Sequence, residues 1–302
     1  MTERQVPVAL PPDPNTRPPH WQLPANACDS QFHVFGPPHL FPYADTRRYT
    51  PPAAPIEHYW NVQKITGLTR GVVVQPTAHG VDNRAALDAV ARSNGAIRGI
   101  CCIDGSVSDA ELDELSAGGM LGARFSLMGD REGTREDIEA QLARMSAHDW
   151  ILDLHVEPAD FLEHEQFIRA LPLVTLIDHM GRVTPAAGGV DQPAFQLLLD
   201  LLKDDHFWVK ICSVDKLSAV PKAQVEDGLP FRDMIPFARA VIEAAPDRVL
   251  WGSDWPHGNT FMPGRTPNEG DLLDLLAEIE PDERVRTRIL VDNPARLFGF
   301  PS

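Results

Sequence analysis

Eight short apolar runs, most of them separated by amphipathic segments, constrain this chain more than any other feature. They fall at 27–32, 71–75, 97–103, 122–126, 151–155, 173–178, 207–212 and 249–253. Several are nearly continuous, as in Gly71-Val72-Val73-Val74-Gln75 and Val174-Thr175-Leu176-Ile177-Asp178. Strands buried on both faces of a parallel sheet read this way. Between them, 83–93 gathers Leu87, Val90 and Ala91 on one helical face. Segment 134–148 opens with Thr134 and Asp137 in a capping-box-like start, then repeats Ile138, Leu142 and Met145. Segment 191–203 offers Asp191 as an N-cap and Pro193 in the first turn, ahead of Phe195, Leu198, Leu199 and Leu202. Segments 231–245 and 270–279 follow the same logic. Strand followed by helix, recurring about every 30 residues, predicts an α/β chain folded as a (β/α)8 TIM barrel. A doubly wound open sheet is the alternative arrangement.

Barrels of this kind hold about 250 residues in one domain, so 302 residues need not mean two. We expect the barrel to occupy 27–302. Residues 1–26 carry Pro7, Pro11, Pro12, Pro14, Pro18, Pro19 and Pro24, which suits an extended arm. Such an arm either wraps a neighbouring copy in a homo-oligomer or stays disordered. The 27 Lys and Arg against 43 Asp and Glu leave a net charge of −16. That balance argues against nucleic acid or an anionic membrane as partner, because both select a basic face. The acidic surplus falls on helical stretches such as 109–114 and 132–139, expected to face solvent. The apolar runs are too short to span a bilayer, and the Pro-rich start lacks the apolar stretch of a signal peptide. Four Cys at 28, 101, 102 and 212, with no Cys-x-x-Cys, suit a reduced cytoplasmic protein.

A barrel concentrates its chemistry at the C-terminal ends of its strands. Those ends are rich in polar groups: Gln31 and His33, Thr77 and His79, Arg124 and Ser126, His155, Asp178, His179 and Arg182, and Asp254 and His257. Strand 7 carries Lys210. Buried polar groups cost free energy unless paired, so such a collection on one face is hard to explain as packing. His33, His155, His179 and Asp254 are the residue types that hold zinc. Gln31 sits two residues before His33 and so shares its side of the strand. Its amide oxygen is a weak neutral ligand, which favours a site with no metal and no other cofactor.

The motifs Asp29-x-x-x-His33-Val-Phe-Gly-Pro37, Arg48-Tyr49-Thr50-Pro51, His79-Gly-x-Asp82-Asn83, Gly122-x-Arg124-Phe125, Asp178-His179-x-Gly181-Arg182 and Gly252-Ser253-Asp254-Trp255-Pro256-His257 run through the chain. With the closing Val291-Asp-Asn-Pro-Ala-Arg-Leu-Phe-Gly-Phe300, they resemble the lactonase-type branch of the amidohydrolase superfamily. The resemblance implies a (β/α)8 barrel and a metal-independent hydrolase opening a small anionic, carboxylated lactone. It implies Asp254 as the base that takes a proton from water, and His33 and His179 as groups that polarise the lactone carbonyl. It implies that Arg124 and nearby arginines hold a substrate carboxylate. The sequence departs from the lactonase pattern at Gln31, where that pattern has His. Sugar-acid lactone isomerases of the same branch carry Gln there, so isomerisation on the same scaffold is the alternative, as is a zinc-dependent hydrolase or decarboxylase.

Without a metal, preorganised donors must meet the oxyanion, and Gln31, His33, His155 and His179 are the available ones. Gln31 either joins them or only orients His33. A guanidinium pairs a carboxylate bidentately. Arg124 leads because it lies in a run that otherwise reads as core, followed by Arg131, Arg182 and Arg48. Arg182 could instead staple a loop to Asp178 or Glu157. Tyr49, Thr77, His79 and His257 are candidates to hydrogen-bond the substrate, and Trp255 to wall the pocket. The long stretch 213–230 after strand 7, with Asp215, Lys216, Lys222 and Asp227, reads either as a lid or as a solvated loop.

Overall fold

The computed structural model describes residues 6–128 and 133–301. Strands β1 (Cys28–Phe32), β2 (Arg70–Val74), β3 (Ile97–Cys101), β4 (Met120–Leu127), β5 (Ile151–Val156), β6 (Thr175–Ile177), β7 (Phe207–Ile211) and β8 (Val249–Trp251) lie parallel in sequence order. The ring is closed by main-chain contacts just beyond β8. Asp254 N–H donates to Gln31 O at 2.8 Å, and His33 N–H donates to Trp255 O at 2.7 Å. This is the (β/α)8 barrel that the periodicity predicts.

The helices follow the expected segments with small shifts. Thr134 and Asp137 form a reciprocal capping box at the start of Arg135–Ala147. Asp191 does not cap its helix. Pro193 takes the first helical position, which makes Gln192 the N-cap. The acidic surplus does face water: Asp109, Glu111, Asp113 and Glu114 are exposed on Asp109–Ala117, while Leu112 and Leu115 point inward.

The barrel interior is layered. Cys28, Val72, Val74, Ile100, Ile151, Leu176, Trp208 and Leu250 pack with Phe298 and Phe300 as an apolar floor. The two phenylalanines come from the C-terminal helix Asn293–Phe298 and the residues just after it. Asp153, Asp178 and Lys210 each stand two residues beyond a floor residue. Strand alternation therefore points them to the same side, one layer higher. A register shift in β1 between Asp29 and Phe32 matters for the same reason. Asp29 and Phe32 both meet Tyr59 of helix Ile56–Thr66, whereas Gln31 between them reaches Lys210. The irregularity thus presents Gln31 to the interior.

The Pro-rich arm lies against its own barrel from residue 6 onward. Ala9 N–H donates to Thr50 O at 3.0 Å and Leu10 N–H to Thr260 O at 2.8 Å, so the arm ties two loops at the mouth. Farther along, Arg17 pairs with Asp271 and Asp274, each at 2.6 Å, and Trp21 Nε1 donates to Leu273 O at 3.0 Å. Among the described residues, no helix is long and apolar enough to cross a membrane.

Candidate active site

At the C-terminal ends of the strands a small polar cleft opens to solvent. The backbone around it is unusual. His179, Met180 and Arg182 have φ of 51°, 52° and 54°, Ser213 has 57° and Asp254 has 62°. Left-handed conformations cost non-glycine residues about 1–3 kcal/mol each, and several at one strand-end rim mark a site held by its surroundings. They turn the chain sharply, so that side chains at strand ends face one cavity.

Asp254 is the cavity's one lining carboxylate among the described residues. Its Oδ1 lies 3.1 Å from His33 Nε2, and its Oδ2 accepts from Ser213 Oγ at 2.6 Å and Lys216 Nζ at 2.5 Å. Burial alone would push its pKa up. Lys216, the His33 hydrogen bond and the neighbouring histidines outweigh burial and hold it well below the usual carboxylate range. Asp254 is therefore an ionised carboxylate at any ordinary pH. His33 Nδ1 faces the carbonyl of Val74 at 2.7 Å, an acceptor only, so that nitrogen carries a proton.

His179 Nδ1 lies 2.6 Å from Cys212 Sγ, and its Nε2 lies 3.4 Å from Arg124 NH2. Burial drives the His179 pKa down to about 3, against the pull of Asp178 and Asp254, so the ring is neutral. Burial, with Cys212 beside Asp178 and Asp254, likewise keeps its thiol protonated. A thiol proton given to Nδ1 leaves the ring proton on Nε2, a tautomer assigned from its partners. His155 is also held neutral, by burial and then by Arg124. Its Nδ1 meets Ser126 Oγ at 3.2 Å and its Nε2 lies 3.4 Å from Arg182 NH1.

Arg124 reaches the cavity from β4 with its Nε and NH2 at 2.9 and 2.7 Å from Asp178 Oδ2. Burial works against its charge, but Asp178 and Asp153 together hold the guanidinium fully protonated. Arg124, Arg182 and Lys216 thus set three cations around one carboxylate, with Tyr49 and Thr77 completing the polar wall. A protein of net charge −16 carries a locally basic pocket.

The structure brings His33, His155, His179, Asp254, Arg124, Arg182, Tyr49 and Thr77 together. It places five other candidates elsewhere. Gln31 is fully buried beneath the cavity, its amide oxygen bonded to Lys210 at 2.5 Å. The turn Thr77–His79 swings His79 away, so that its Nδ1–H donates to Pro42 O at 2.9 Å, beside the Tyr43 ring. His257 is buried between Glu269, 3.4 Å away, and Asp215, 3.8 Å away, because its left-handed backbone points it off the cavity. Arg48 is exposed and is not among the lining residues. Arg131 lies outside the described residues. Trp255 packs against Tyr59 at 5.5 Å rather than walling the cavity.

Sequence reasoning passed over Ser213 and Lys216 as site residues. They open the long stretch after β7, and helix Val214–Leu217 carries Lys216 over the cavity. A strand end followed at once by Ser, Asp and Lys in a long βα loop was the available signal.

Asp254 is already engaged by an ammonium, a hydroxyl and an imidazole, and both ring nitrogens of His155 and of His179 have other neighbours. An ion there would also stand beside Lys216, Arg124 and Arg182. Asp178, His179 and Cys212 place donor atoms within 4.8 Å of one another, but Asp178 is taken by Arg124 and Lys210. As arranged, these residues do not fit a divalent ion.

Residues 28–300 match the amidohydrolase family model, and the chain belongs to that family. It is 40% identical over 306 residues to a 4-sulfomuconolactone hydrolase of Hydrogenophaga intermedia, covering 99% of this chain and 98% of that one. It is 39% identical to a 2-pyrone-4,6-dicarboxylate hydrolase of Comamonas testosteroni, covering 94% and 93%. A crystal structure of an Acinetobacter baumannii relative with citric acid bound superposes with a TM-score of 0.77 at 26% identity, covering 91% and 100%.

Proposed function

We infer that this protein is a hydrolase that opens a small anionic lactone, and that it does so without a metal. One observation carries the reading: an ionised carboxylate, Asp254, hydrogen-bonded to His33 in a cavity whose other charges are all cationic. The relatives named for hydrolysis of a sulfonated and a dicarboxylated lactone, and the one that holds citric acid, support an anionic substrate.

The chemistry follows from the donors. Arg124, Arg182 and Lys216 pair the substrate's carboxylate or sulfonate and orient the ring. Water adds to the lactone carbonyl as Asp254 accepts its proton. A carboxylate held well below its usual pKa is a weak base, so the oxyanion donors must carry much of the barrier. The neutral His179 is such a donor through its Nε2–H, and one such donor is worth about 2.7–4 kcal/mol. The carbon–oxygen bond of the ring then breaks, and the proton on Asp254 passes to the departing oxygen. The product is the ring-opened acid.

The test is turnover of carboxylated and sulfonated lactones in 18O-water. One labelled oxygen per turnover in the new carboxylate is expected. A product of changed ring size with no label would mean isomerisation instead. Dialysis against a strong chelator should leave the rate unchanged. Loss of rate that zinc alone restores would overturn the metal-free reading.

A further inference from the structure

Beneath the cavity lies a charged layer that the chemistry above does not use. Lys210 has 0% exposure. Its ammonium donates to Gln31 Oε1 at 2.5 Å and Asp153 Oδ2 at 2.7 Å, and Asp178 Oδ1 stands 3.3 Å away. The other oxygen of Asp178 holds Arg124 through two nitrogens, at 2.9 and 2.7 Å. Two cations and two carboxylates therefore run in one connected line from the barrel axis to the cavity wall. Packing does not require this. A buried ion pair is often no more stable than apolar residues of the same volume, and the floor just below is apolar.

What the line does provide is a fixed plane for Arg124. A guanidinium recognises a carboxylate bidentately only when its orientation is set. Asp178 sets that plane, and a carboxylate bonded on one side only could swing. Lys210 holds its second oxygen by charge alone, an ion pair at 3.3 Å with no hydrogen bond, and is itself fixed by hydrogen bonds to Asp153 and Gln31. We propose that Lys210 is a positioning residue which, through Asp178, holds Arg124 in register for the anionic group of the substrate. Gln31, where the sequence departs from the lactonase pattern, is then the neutral acceptor that completes the ammonium's shell. A side-chain amide offers a permanent acceptor oxygen, whereas a given imidazole nitrogen accepts in only one of the two neutral tautomers.

The proposal rests on Arg124 as the anion grip, so the experiment separates the two. Lys210→Met is compared with the charge-balanced pair Asp153→Asn with Lys210→Met, and Arg124→Met is run alongside. Each is assayed on a carboxylated lactone and on its neutral methyl ester, with circular dichroism and thermal melts to report folding. The double variant is expected to fold and to raise KM for the carboxylated lactone about 10- to 100-fold, with kcat within about threefold and the methyl ester unaffected. An unchanged KM, or equal loss on both substrates, overturns the positioning role. Failure of both Lys210 variants to fold also overturns it, in favour of a purely structural ion pair. If Arg124→Met spares the carboxylated lactone, the grip reading itself fails. A penalty in Arg124→Met without one in the folded Lys210 variants removes only the proposal made here.

Discussion

Replacing Asp254 by Asn tests the centre of the proposed chemistry with little change of shape. The amide oxygen can keep the bonds from Ser213 Oγ and Lys216 Nζ, now at 2.6 and 2.5 Å. The amide nitrogen would then face His33 Nε2, now 3.1 Å from Oδ1. The scaffold therefore survives while the proton acceptor is gone. Loss of a positioned general base costs about 10²- to 10⁴-fold in rate. That corresponds to about 3–5 kcal/mol of barrier. The loss should fall on kcat, because Arg124 and Arg182 still grip the substrate. Two hydrogen bonds to charged partners weaken as well, so a stability loss of about 1–3 kcal/mol is expected at pH 7. The folded-state pKa of Asp254 is depressed, so its contribution to stability is present above the unfolded value near 3.8 and is lost as pH falls through the folded value. The melting difference between the two proteins should accordingly shrink in strong acid. Absorbance decay of the lactone gives the rate, and melts at several pH values give the stability. A folded Asp254→Asn protein with turnover within about threefold of the original would refute the base assignment.

Other outcomes follow from the same geometry. Lys216→Met removes the nearest cation from Asp254, so an acid limb of kcat/KM should move to higher pH, and an unmoved limb would deny the coupling. Arg124→Met should raise KM for carboxylated lactones by about 1.5–3 kcal/mol while sparing neutral ones, and equal effects on both would contradict a carboxylate grip. Burial works to lower the His257 pKa, but Glu269 and Asp215 outweigh it and raise it. Its stabilising charge is thus fully present below about pH 6.5 and is lost as pH rises through the folded value. Melts of the original protein and a His257→Asn variant should converge in alkali, and a gap that persists there would rule that charge out. Arg17→Ala should loosen the arm by about 1–3 kcal/mol through the loss of Asp271 and Asp274, read as a lower melting temperature.

The electrostatics of the whole chain and of the site point in opposite directions, and both are physical. The surplus carboxylates stand on outer helix faces, where water solvates them and distance and salt screen them from the cavity. Within the cavity, low dielectric and short distances let three cations decide which ligand enters. Net charge is therefore a statement about the outside of this protein.

Much of this was legible before any coordinates. Period-2 and period-3.6 patterns are local, so strand and helix segments could be read from Gly71-Val72-Val73-Val74 or from Thr134 with Asp137. Strand ends follow from strand positions, and this put His33, Arg124, His155, His179 and Asp254 on one rim. Side-chain direction beyond a strand end is not local. His79 and His257 sit in turns whose dihedrals send them into other neighbours, and no spacing rule encodes that. Gln31 reaches the interior because β1 shifts register, which depends on pairing with β2. Lys216 meets Asp254 across 38 residues of sequence, and Lys210 meets Gln31 across 179. By itself the sequence determined the barrel, the rim and the family, because each is written in short-range pattern. Only the tertiary structure decided which rim residues face the cavity, which cation sits on the base, and what braces the arginine beneath it. Those are pairings between distant segments, fixed when the ring of strands closes and the charges must find partners out of water.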